Sequence, residues 1–577
     1  MVVVKGNSEK PMRGGYLLIA VFLFLALFTP AERVQSAPDE WEPVAEGIDY
    51  QEFHLPDPNN VFVTRMQRSN QNVILESSIA QGRLSGGSET VSGMSTRYDG
   101  AINYWNQTWG NRNQVVVAIN GFYFGAPEEL PGVPWSGQVH SGWYAKRFWE
   151  GESGSGFAWK MDREAIIGEC ISHPSDKQVV NYIRTGSVIA TQEFQGINVP
   201  RQDNQFILYT PQYDANTQTS GAQAVEVLVE LSRPSLIALT SDMTRGKIIK
   251  IRDNQGSTSI PFDHVVLSMH GVAKTEFLAK GIVEGDEVGI AQRIKNCNSA
   301  LTYDWSYTYA SVGGAFYFLK NGVIQDFSGD PQANVRDPRT AIAFNNDYIF
   351  FIVVDGRDVW YSLGMTIPQM ASFAKNVLGA TWGIAQDGGG SSTMVVNGEV
   401  KNNSYCNITI CEGKMFLPII VNPGEGRQSQ EDEAAGPGVP IPPVSSTPPP
   451  PQLSGDGLPL TSDYYVYSRD ASGTMLQRLV ANGMLMVVVE PKEQSNTFSA
   501  NTGVLTRTEA QVRLGPGTNY AVVDTVPAAT LGFIVDHSNG LNGVKAMGSF
   551  WWKVLLEVGN VDVIGWVPEE TLMPLPR

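Results

Sequence analysis

Apolar and polar positions along the chain predict many short strands and one well-defined helix. Runs rich in β-branched and aromatic residues, such as Val115–Ile119 and Tyr348–Val354, end at Asn, Asp or Gly, as buried strands commonly do. Between Thr366 and Gly379 the apolar period changes to that of a helix, with Thr366 as the N-cap and Gly379 as the stop. The apolar face of this predicted helix consists of Met370, Phe373, Ala374, Val377 and Leu378. The pattern predicts strand, helix, strand.

Polar residues follow both strands of this unit. Asp355-Gly356-Arg357 closes the first strand, and Asp387 closes the second, apolar run Thr381–Ala385. If the two strands are parallel in one sheet, the helical crossover brings Asp355 and Asp387 to the same edge. The sequence therefore predicts a functional site at that edge.

The seven residues from Asp387 to Thr393 are suited to holding an oxygen-rich ligand. Three glycines leave backbone N–H groups unshielded, and three hydroxyl side chains supply adjustable donors. The residues after Asp387 are Gly388, Gly389, Gly390, Ser391, Ser392 and Thr393. Met394–Val396, the turn Asn397-Gly398 and Glu399–Lys401 then predict a β-hairpin.

Several short motifs follow one another along the chain in an order that is informative. They are Asn120-Gly121-Phe122-Tyr123-Phe124, Ser311-Val312-Gly313-Gly314, Asn321-Gly322, Arg339-Thr340-Ala341, Asp355-Gly356-Arg357, Gly364-Met365-Thr366 and the block from Asp387 to Met394. In this order they resemble the phosphodiester glycosidase family, over about Ile74 to Val421. The chain differs from the family pattern at Phe122, where relatives often carry an acidic residue, and at Gln386.

The resemblance implies a hydrolase that cleaves the glycosidic bond of a sugar-1-phosphodiester. Asp387 is the predicted nucleophile or base for water, and Asp355 the second catalytic residue, orienting an arginine or sugar hydroxyls. Arg339 and Arg357 are predicted to hold the phosphate, with Asn120 and the loop Gly388–Thr393 also binding substrate. For Asn120 the alternative is a turn residue. No metal and no cofactor is expected.

Two other functions remain compatible with the sequence. The protein would be a non-catalytic cell-wall glycan-binding protein if it kept the fold without hydrolysis. It would be a phosphodiesterase if cleavage occurred on the phosphorus side. Release of free sugar from a diester distinguishes a glycosidase from a glycan-binding protein. Hydrolysis in heavy-oxygen water distinguishes a glycosidase from a phosphodiesterase, because it shows which product takes up the labelled atom.

Charge and the N-terminus indicate an exported protein without a nucleic-acid partner. Basic residues precede the apolar run Tyr16–Phe28, which is short for a membrane span, and small residues near Ala37 offer a cleavage site. Loss of residues 1–36, with four basic and two acidic side chains, would change the net charge from −17 to −19. Such acidity disfavours nucleic acid and requires local cations for an anionic substrate. We expect a secreted or envelope-associated protein with no stable membrane span after cleavage.

Four cysteines occur in this exported chain, namely Cys170, Cys297, Cys406 and Cys411. They allow three pairings, of which Cys406 with Cys411 and Cys170 with Cys297 is the most local. Free buried thiols are the alternative. Their spacing does not fit a zinc ribbon.

Composition divides the chain into segments. We expect a signal peptide at 1–36, an N-terminal extension at 37–73, the catalytic domain at 74–423 and a Pro-rich linker at 424–458 that separates two folded units. Residues 459–500 contain strand-like runs of uncertain placement. Residues 501–577 resemble a bacterial Src-homology-3 type domain, through the segment Gln511–Tyr520 and the Gly565-Trp566-Val567 close. That resemblance implies tethering to a cell-wall polymer, although its tryptophans would equally fill a small core.

Together these patterns predict an α+β protein. The catalytic domain is expected to be a mixed, largely antiparallel sheet assembly with few helices. A small all-β barrel domain is expected after the linker.

Overall fold

The structure is a computed structural model. It describes residues 40–125, 132–147, 156–168, 171–172, 178–232, 243–292, 295–296, 305, 307–404 and 477–575. The predicted signal peptide, all four cysteines and the Pro-rich segment lie outside these residues. Among the described residues, none of the helices is long and apolar enough to cross a lipid bilayer.

Strands make up most of the regular secondary structure in the described residues. Up to residue 232 the strands are β1 Glu42–Ala45, β2 Ile48–Leu55, β3 Asn59–Gln67, β4 Val73–Ile79, β5 Ile102–Trp105, β6 Thr108–Asn120, β7 Gln138–His140, β8 Trp143–Lys146, β9 Gly156–Lys160, β10 Ala165–Gly168, β11 Ile171–Ser172, β12 Gln178–Arg184, β13 Ser187–Glu193, β14 Gly196–Ile197, β15 Phe206–Tyr209 and β16 Ala224–Leu231. From 243 to 404 they are β17 Thr244–Asp253, β18 His264–His270, β19 Glu287–Gln292, β20 Lys295–Asn296, β21 Thr308–Val312, β22 Ala315–Lys320, β23 Val323–Ile324, β24 Arg339–Phe344, β25 Tyr348–Val354, β26 Trp382–Ala385, β27 Met394–Val396 and β28 Glu399–Val400. After 476 they are β29 Asn482–Glu490, β30 Gly503–Thr506, β31 Ala510–Arg513, β32 Val522–Val526, β33 Leu531–Ile534, β34 Val544–Ala546, β35 Ser549–Val558, β36 Val561–Pro568 and β37 Leu572–Pro574. The α-helices are α1 Val91–Tyr98, α2 Gly271–Ala279 and α3 Ile367–Asn376.

The first sheet carries the predicted strand, helix, strand unit. Its order is β1-β2-β3-β25-β24-β26-β22-β23. Strand β24 pairs antiparallel with both β25 and β26, so those two strands are parallel to each other and end at one edge. The predicted shared edge for Asp355 and Asp387 is confirmed. Strands β1 to β3 place much of the predicted extension 37–73 in this sheet.

The second sheet depends on a strand that returns after the Pro-rich segment. Its order is β28-β27-β6-β29-β4, with β5 paired to β6. Strand β29 pairs antiparallel with β4 on one side and β6 on the other. Strands that precede and follow the Pro-rich segment in the sequence therefore belong to the same sheet. The expectation that this segment separates two folded units is wrong, because residues on both sides of it share backbone hydrogen bonds.

One apolar core lies between the first and second sheets. Ile342 and Phe351 of the first sheet cluster with Val117 and Met486 of the second, and all four are fully buried. Burying both faces of strands in this way explains why their sequences are continuous apolar runs. Small sheets complete this region, in the orders β10-β9-β21, β11-β20 and β7-β8.

A third sheet and a fourth sheet follow the same largely antiparallel pattern. The third has the order β13-β12-β19-β17-β16-β18-β15-β14, in which β14 and β15 are parallel. The fourth, β32-β31-β36-β35-β33-β30-β37 with β34 on β35, forms the C-terminal β domain. With few helices and mostly antiparallel strands, the predicted α+β class with a C-terminal β domain is confirmed.

The C-terminal β domain packs directly against the rest of the protein. Its buried Leu541, Trp551 and Trp566 share an apolar cluster with Ile102 of β5 and with Phe262, which precedes β18. These tryptophans therefore serve packing. Its identity as a bacterial Src-homology-3 type domain stays a prediction.

A buried cluster of hydrogen-bonded polar side chains holds the same contact. Asp263 accepts hydrogen bonds from His264 Nδ1 at 2.6 Å and from His537 Nε2 at 2.7 Å. Burial disfavours the carboxylate, but His264 and His537 outweigh burial and hold the pKa of Asp263 well below its usual value. The C-terminal domain is thus fixed by buried hydrogen bonds as well as by apolar contact.

Local predictions for the helix and hairpin are confirmed, with one correction. Thr366 and Gln369 form a capping box, and α3 begins at the next residue after the cap. Val377, predicted on the apolar face, is 52% exposed, because the helix already ends at Asn376. At the hairpin, Asn397 and Gly398 both have positive φ, as a two-residue type I′ turn requires.

We expect Leu485→Ala to destabilise the whole two-sheet core. Leu485 is fully buried in β29, and removing a buried Leu side chain typically costs about 2–5 kcal/mol. Urea unfolding followed by tryptophan fluorescence measures the loss. Leu531→Ala is the matched control, since Leu531 is 49% exposed. Equal stability of the two variants would contradict a central role for β29.

Candidate active site

Asp387 stands at the start of the glycine-rich turn, just beyond β26. Both backbone polar groups of Asp387 are hydrogen-bonded. Asp387 N donates to Gly121 O at 3.0 Å, and Asn120 Nδ2 donates to Asp387 O at 2.8 Å. Its carboxylate accepts a hydrogen bond from Ser391 Oγ at 2.6 Å. The loop thus presents one carboxylate in a fixed orientation.

The electrostatics of Asp387 are set by burial and two partners. Asp387 is only 8% exposed, and burial raises the pKa of its carboxyl above the usual value. Ser391 and the nearby guanidinium of Arg478 act in the opposite direction. A carboxylate in such a setting is less solvated and more basic than one on the surface.

Arg478 reaches this site from beyond the Pro-rich segment. Its Nη1 donates to Ser391 Oγ at 2.9 Å and lies 3.8 Å from Asp387 Oδ2. Its guanidinium carbon is 5.3 Å from the centroid of the Phe124 ring. Arg478 Nε is buried and has no hydrogen-bond partner among the described residues. A buried unpaired donor is costly, so this nitrogen marks a position suited to a ligand oxygen.

Sequence reasoning missed Arg478, although a signal existed. Residues 484–489 form an uninterrupted apolar run, which is typical of a strand buried on both faces. Such a strand needs neighbours in a large sheet, and Arg478 precedes it closely. The sheet to which this strand belongs is decided by its pairing with β4 and β6, which are far away in the sequence.

Arg357 lies where its motif predicts, beside the glycine turn. Its guanidinium pairs with Asp337 through two hydrogen bonds, Nε to Oδ1 at 2.6 Å and Nη2 to Oδ2 at 3.1 Å. A Cβ atom on Gly389, whose φ is +60°, would be 3.0 Å from Arg357 Nη2. The glycine at 389 therefore satisfies two constraints, a left-handed backbone and the close approach of Arg357.

Arg339 is close to the turn but is engaged by the main chain. Its Nε donates to Met365 O, and its Nη2 donates to Gln332 O and Val335 O, at 2.7 to 3.0 Å. Two of its three guanidinium nitrogens thus donate hydrogen bonds to carbonyl groups. This disfavours the predicted bidentate binding of phosphate by Arg339. Nη1 approaches Gly388 and remains the group able to reach a ligand.

Asp355 shares the edge but faces amide groups. It is 2% exposed and accepts hydrogen bonds from Asn402 Nδ2 at 2.9 Å and Asn403 N at 2.8 Å. Asn402 Nδ2 also donates to Ser392 O. Asp355 therefore anchors the chain after the hairpin to the glycine turn, and the contacts described for it include no arginine.

Asn120 holds the site together from inside. It is fully buried, and its Oδ1 accepts from Thr340 Oγ1 at 2.8 Å and Thr393 N at 3.2 Å. With Nδ2 on Asp387 O, the side chain is saturated. The predicted substrate contact is therefore corrected: Asn120 positions the Asp387 loop. The turn alternative also fails, because Asn120 ends strand β6.

The three hydroxyl residues have different settings. Ser391 links Asp387 to Arg478, whereas Thr393 Oγ1 lies 3.3 Å from Ser404 Oγ inside the fold. Ser392 Oγ is buried without a hydrogen-bond partner among the described residues.

The phenol of Tyr123 is influenced by the charge of Asp387. Burial and the Asp387 carboxylate both raise the pKa of this phenol. The Tyr123 ring is 5.7 Å from Trp135, which is 43% exposed.

Comparison with known proteins agrees with this geometry at a coarse level. One family model matches residues 243–412. It is the model of the phosphodiester glycosidase family. The matched region includes Arg339, Arg357 and the Asp387 turn, whereas Tyr123 and Arg478 lie outside it. No curated protein matches the chain.

Three solved structures that resemble this chain are all distant in sequence. A hypothetical protein from Synechocystis shares 15% identity over 64% of this chain, with a TM-score of 0.41, and 62% of that protein's length is covered. A protein of Burkholderia pseudomallei described as a candidate exported protein shares 17% identity, covering 75% of this chain and 74% of that one, with a TM-score of 0.40. The catalytic domain of zebrafish N-acetylglucosamine-1-phosphodiester alpha-N-acetylglucosaminidase, auto-inhibited by its pro-peptide, shares 13% identity, covering 65% and 78%, with a TM-score of 0.28.

We expect Asp355 to reduce stability as pH rises from about 4 to about 6. Burial raises the pKa of Asp355 to about 6, so the folded state binds a proton that the unfolded state, with a pKa near 3.9, has released. The free energy of unfolding of the wild type, relative to Asp355→Asn, should fall by on the order of 3 kcal/mol across this window. Urea unfolding between pH 4 and 8 measures it.

Asp326→Asn is the control for that experiment. Asp326 is exposed, and hydrogen bonds from the backbone and hydroxyl of Ser328 lower the pKa of its carboxyl. Its difference curve should show no decrease between pH 4 and 6. A flat curve for Asp355→Asn would contradict the assignment of a raised pKa to Asp355.

Proposed function

We propose that the protein is an exported hydrolase that cleaves the glycosidic bond of a sugar-1-phosphodiester in an envelope or extracellular glycan. The observation that carries this proposal is the placement of two guanidinium groups around the Asp387 turn, Arg357 beside Gly389 and Arg478 beside Ser391. The match of residues 243–412 to the phosphodiester glycosidase family supports the reaction class. The N-terminal sequence pattern supports export.

The substrate's chemistry explains why cations matter at this site. In a sugar-1-phosphodiester the leaving group is a phosphate monoester, whose second pKa is about 6, so it departs with little need for protonation. Stabilising the negative charge that develops on the phosphate is then the main catalytic task. Arg478 Nε, buried without a partner among the described residues, and Nη1 of Arg339 are suited to the phosphate oxygens. Arg357 lies beside the turn, but Asp337 offsets its charge.

Asp387 supplies the group that acts at the anomeric carbon. Either its carboxylate attacks that carbon directly, or it removes a proton from an attacking water. In both routes the bond between the anomeric carbon and the phosphate oxygen breaks, and its electrons leave with the phosphate monoester. Water contributes a hydroxyl to the sugar and one proton to the site. Ser391 fixes the carboxylate orientation through its 2.6 Å hydrogen bond.

Two adjacent aromatic rings, of which Trp135 is exposed and Tyr123 is partly buried, suit the sugar. Trp135 and Tyr123 form an adjacent pair of rings, and the Asp387 charge acts on the Tyr123 phenol. Aromatic faces next to polar groups are a common surface for pyranose rings. We assign the sugar to this pair and the phosphate to the arginines.

We expect Asp387→Asn to lower the rate of free sugar release by at least about a thousandfold, because the neutral amide neither attacks nor accepts a proton. The assay measures free sugar from a panel of α-linked hexose-1-phosphate alkyl diesters, including the N-acetylglucosamine compound. Asp524→Asn, an exposed carboxylate of the C-terminal domain, is the control and should keep full activity. An active, folded Asp387→Asn variant would remove Asp387 from the mechanism.

Hydrolysis in heavy-oxygen water identifies the bond that breaks. The proposed reaction places the heavy atom in the released sugar. Heavy oxygen in the phosphate product would instead make the protein a phosphodiesterase acting on the phosphorus side. Retention of every diester unchanged, with measurable affinity, would make it a glycan-binding protein.

We expect Arg478→Gln to lower kcat/KM by about 10²–10³-fold, because it removes a charge aimed at the leaving group. The same change should move the acid limb of the kcat/KM profile to higher pH, since Arg478 opposes the burial that raises the pKa of Asp387. A purely structural role would leave that limb in place. Arg184→Gln, which breaks an arginine–carboxylate pair with Asp286 in the third sheet, is the matched control.

A further inference from the structure

A second cavity lies where the C-terminal β domain meets the second and third sheets. Its volume is about 310 Å³, and it shares no lining residue with the Asp387 site. Its walls include the β5–β6 hairpin, the segment before β18 and the turn between β31 and β32. Residues from the segments 81–83, 140–143 and 211–215 and from the end of α1 complete the lining. The turn is part of the motif Gln511–Tyr520, which the proposed reaction does not use.

The turn faces into the protein. Phe262 N donates to Leu514 O at 3.1 Å, and the Tyr520 ring lies 5.5 Å from the Phe262 ring. Thr518 is exposed at the cavity wall, whereas Gly517 is buried. This geometry makes the motif one side of a built pocket instead of a free surface.

Aromatic rings form much of the opposite wall. Trp109 is 5.9 Å from Tyr104 and stacks on Phe262 at 5.5 Å. Tyr104 and Trp109 are both partly exposed and both line the cavity. Rings held rigidly at the mouth of a pocket bind flat apolar faces with little loss of conformational freedom.

Polar atoms of the same walls lack partners. Asn103 Oδ1, Trp109 Nε1 and Asn519 Oδ1 are buried, and none has a hydrogen-bond partner among the described residues. Asn103 is 1% exposed, with its amide nitrogen bonded to Asn113 Oδ1 at 2.5 Å. Buried donors and acceptors are normally satisfied, so these atoms indicate a ligand that both accepts and donates.

The charged groups at the cavity are already compensated. Arg83 pairs with Asp214 at 3.0 Å, and Arg97 pairs with Glu89 at 2.6 Å. A cavity with balanced charges gives no net attraction to a phosphate or carboxylate group. The ligand it suits is therefore neutral.

We propose that this junction cavity binds a neutral saccharide, one or two rings of a glycan chain. Aromatic faces suit the apolar faces of pyranose rings, and the amide and indole groups suit hydroxyls. The volume lies at the lower end of the usual range for ligand pockets, about 300–1,000 Å³. The site is separate from the Asp387 site, so its existence does not depend on the proposed hydrolysis.

Titration calorimetry of the full chain with neutral tetrasaccharides tests this. The probes are cellotetraose, chitotetraose, maltotetraose and mannotetraose, with tetragalacturonate as the anionic comparison. We expect saturable binding of at least one neutral probe, with Kd of about 1 mM or tighter, and weaker binding of tetragalacturonate. Absence of saturable binding by all four neutral probes, or preference for tetragalacturonate, would overturn the proposal.

Two variants locate the binding. Thr518→Trp should block the cavity from an exposed position, and Tyr104→Ala should remove one ring of its wall; each should weaken binding at least tenfold. Phe533→Ala, an exposed ring of the C-terminal domain, is the matched control. Thermal unfolding verifies that each variant is folded, and hydrolysis of a soluble diester should stay unchanged. Undiminished binding in Thr518→Trp and Tyr104→Ala would place the saccharide elsewhere and overturn the proposal.

Discussion

The pairing of β29 with β4 and β6 is the constraint on which the candidate site depends. This strand closes the second sheet and completes the core against the first. The segment that leads into it carries Arg478 to Ser391 and Asp387. Backbone hydrogen bonds between strands far apart in the sequence thus set the charge around the Asp387 carboxylate. Because β29 is hydrogen-bonded to a neighbouring strand on each side, both neighbours fix its register and so the position of the segment that carries Arg478.

The Asp387 turn is supported by side chains that do no chemistry themselves. Asn120 binds the Asp387 carbonyl and the Thr393 amide, and Asn402 joins Asp355 to the Ser392 carbonyl. Each of these amides is buried, where an unmet hydrogen bond is expensive, and so each defines one geometry for the loop. Within the turn, the Gly389 N–H is itself bonded to Pro338 O, which holds the turn to the start of β24.

The C-terminal domain is part of the same structural unit in its contacts. It shares an apolar cluster with Ile102 and Phe262, and His537 forms a buried hydrogen bond with Asp263. Because Trp551 and Trp566 are used for this packing, a polymer would have to bind elsewhere on the domain. The cavity formed with the β5–β6 hairpin is the place where its loop motif and unpaired polar atoms coincide.

The sequence by itself determined the local elements and half of the site. Helix α3 with its Thr366 cap, the Asn397-Gly398 turn and the apolar strands follow from short-range rules of period, capping and positive φ. The shared edge of Asp355 and Asp387 followed from the parallel orientation of two strands joined by a helical crossover. Tertiary structure alone decided that Arg339 serves carbonyl groups, that Asn120 is buried, and that Arg478 enters the site. These outcomes depend on which strands pair although they are distant in the sequence, and on which carbonyl groups the folded chain places near each donor. The spacing of nearby residues predicts neither of these.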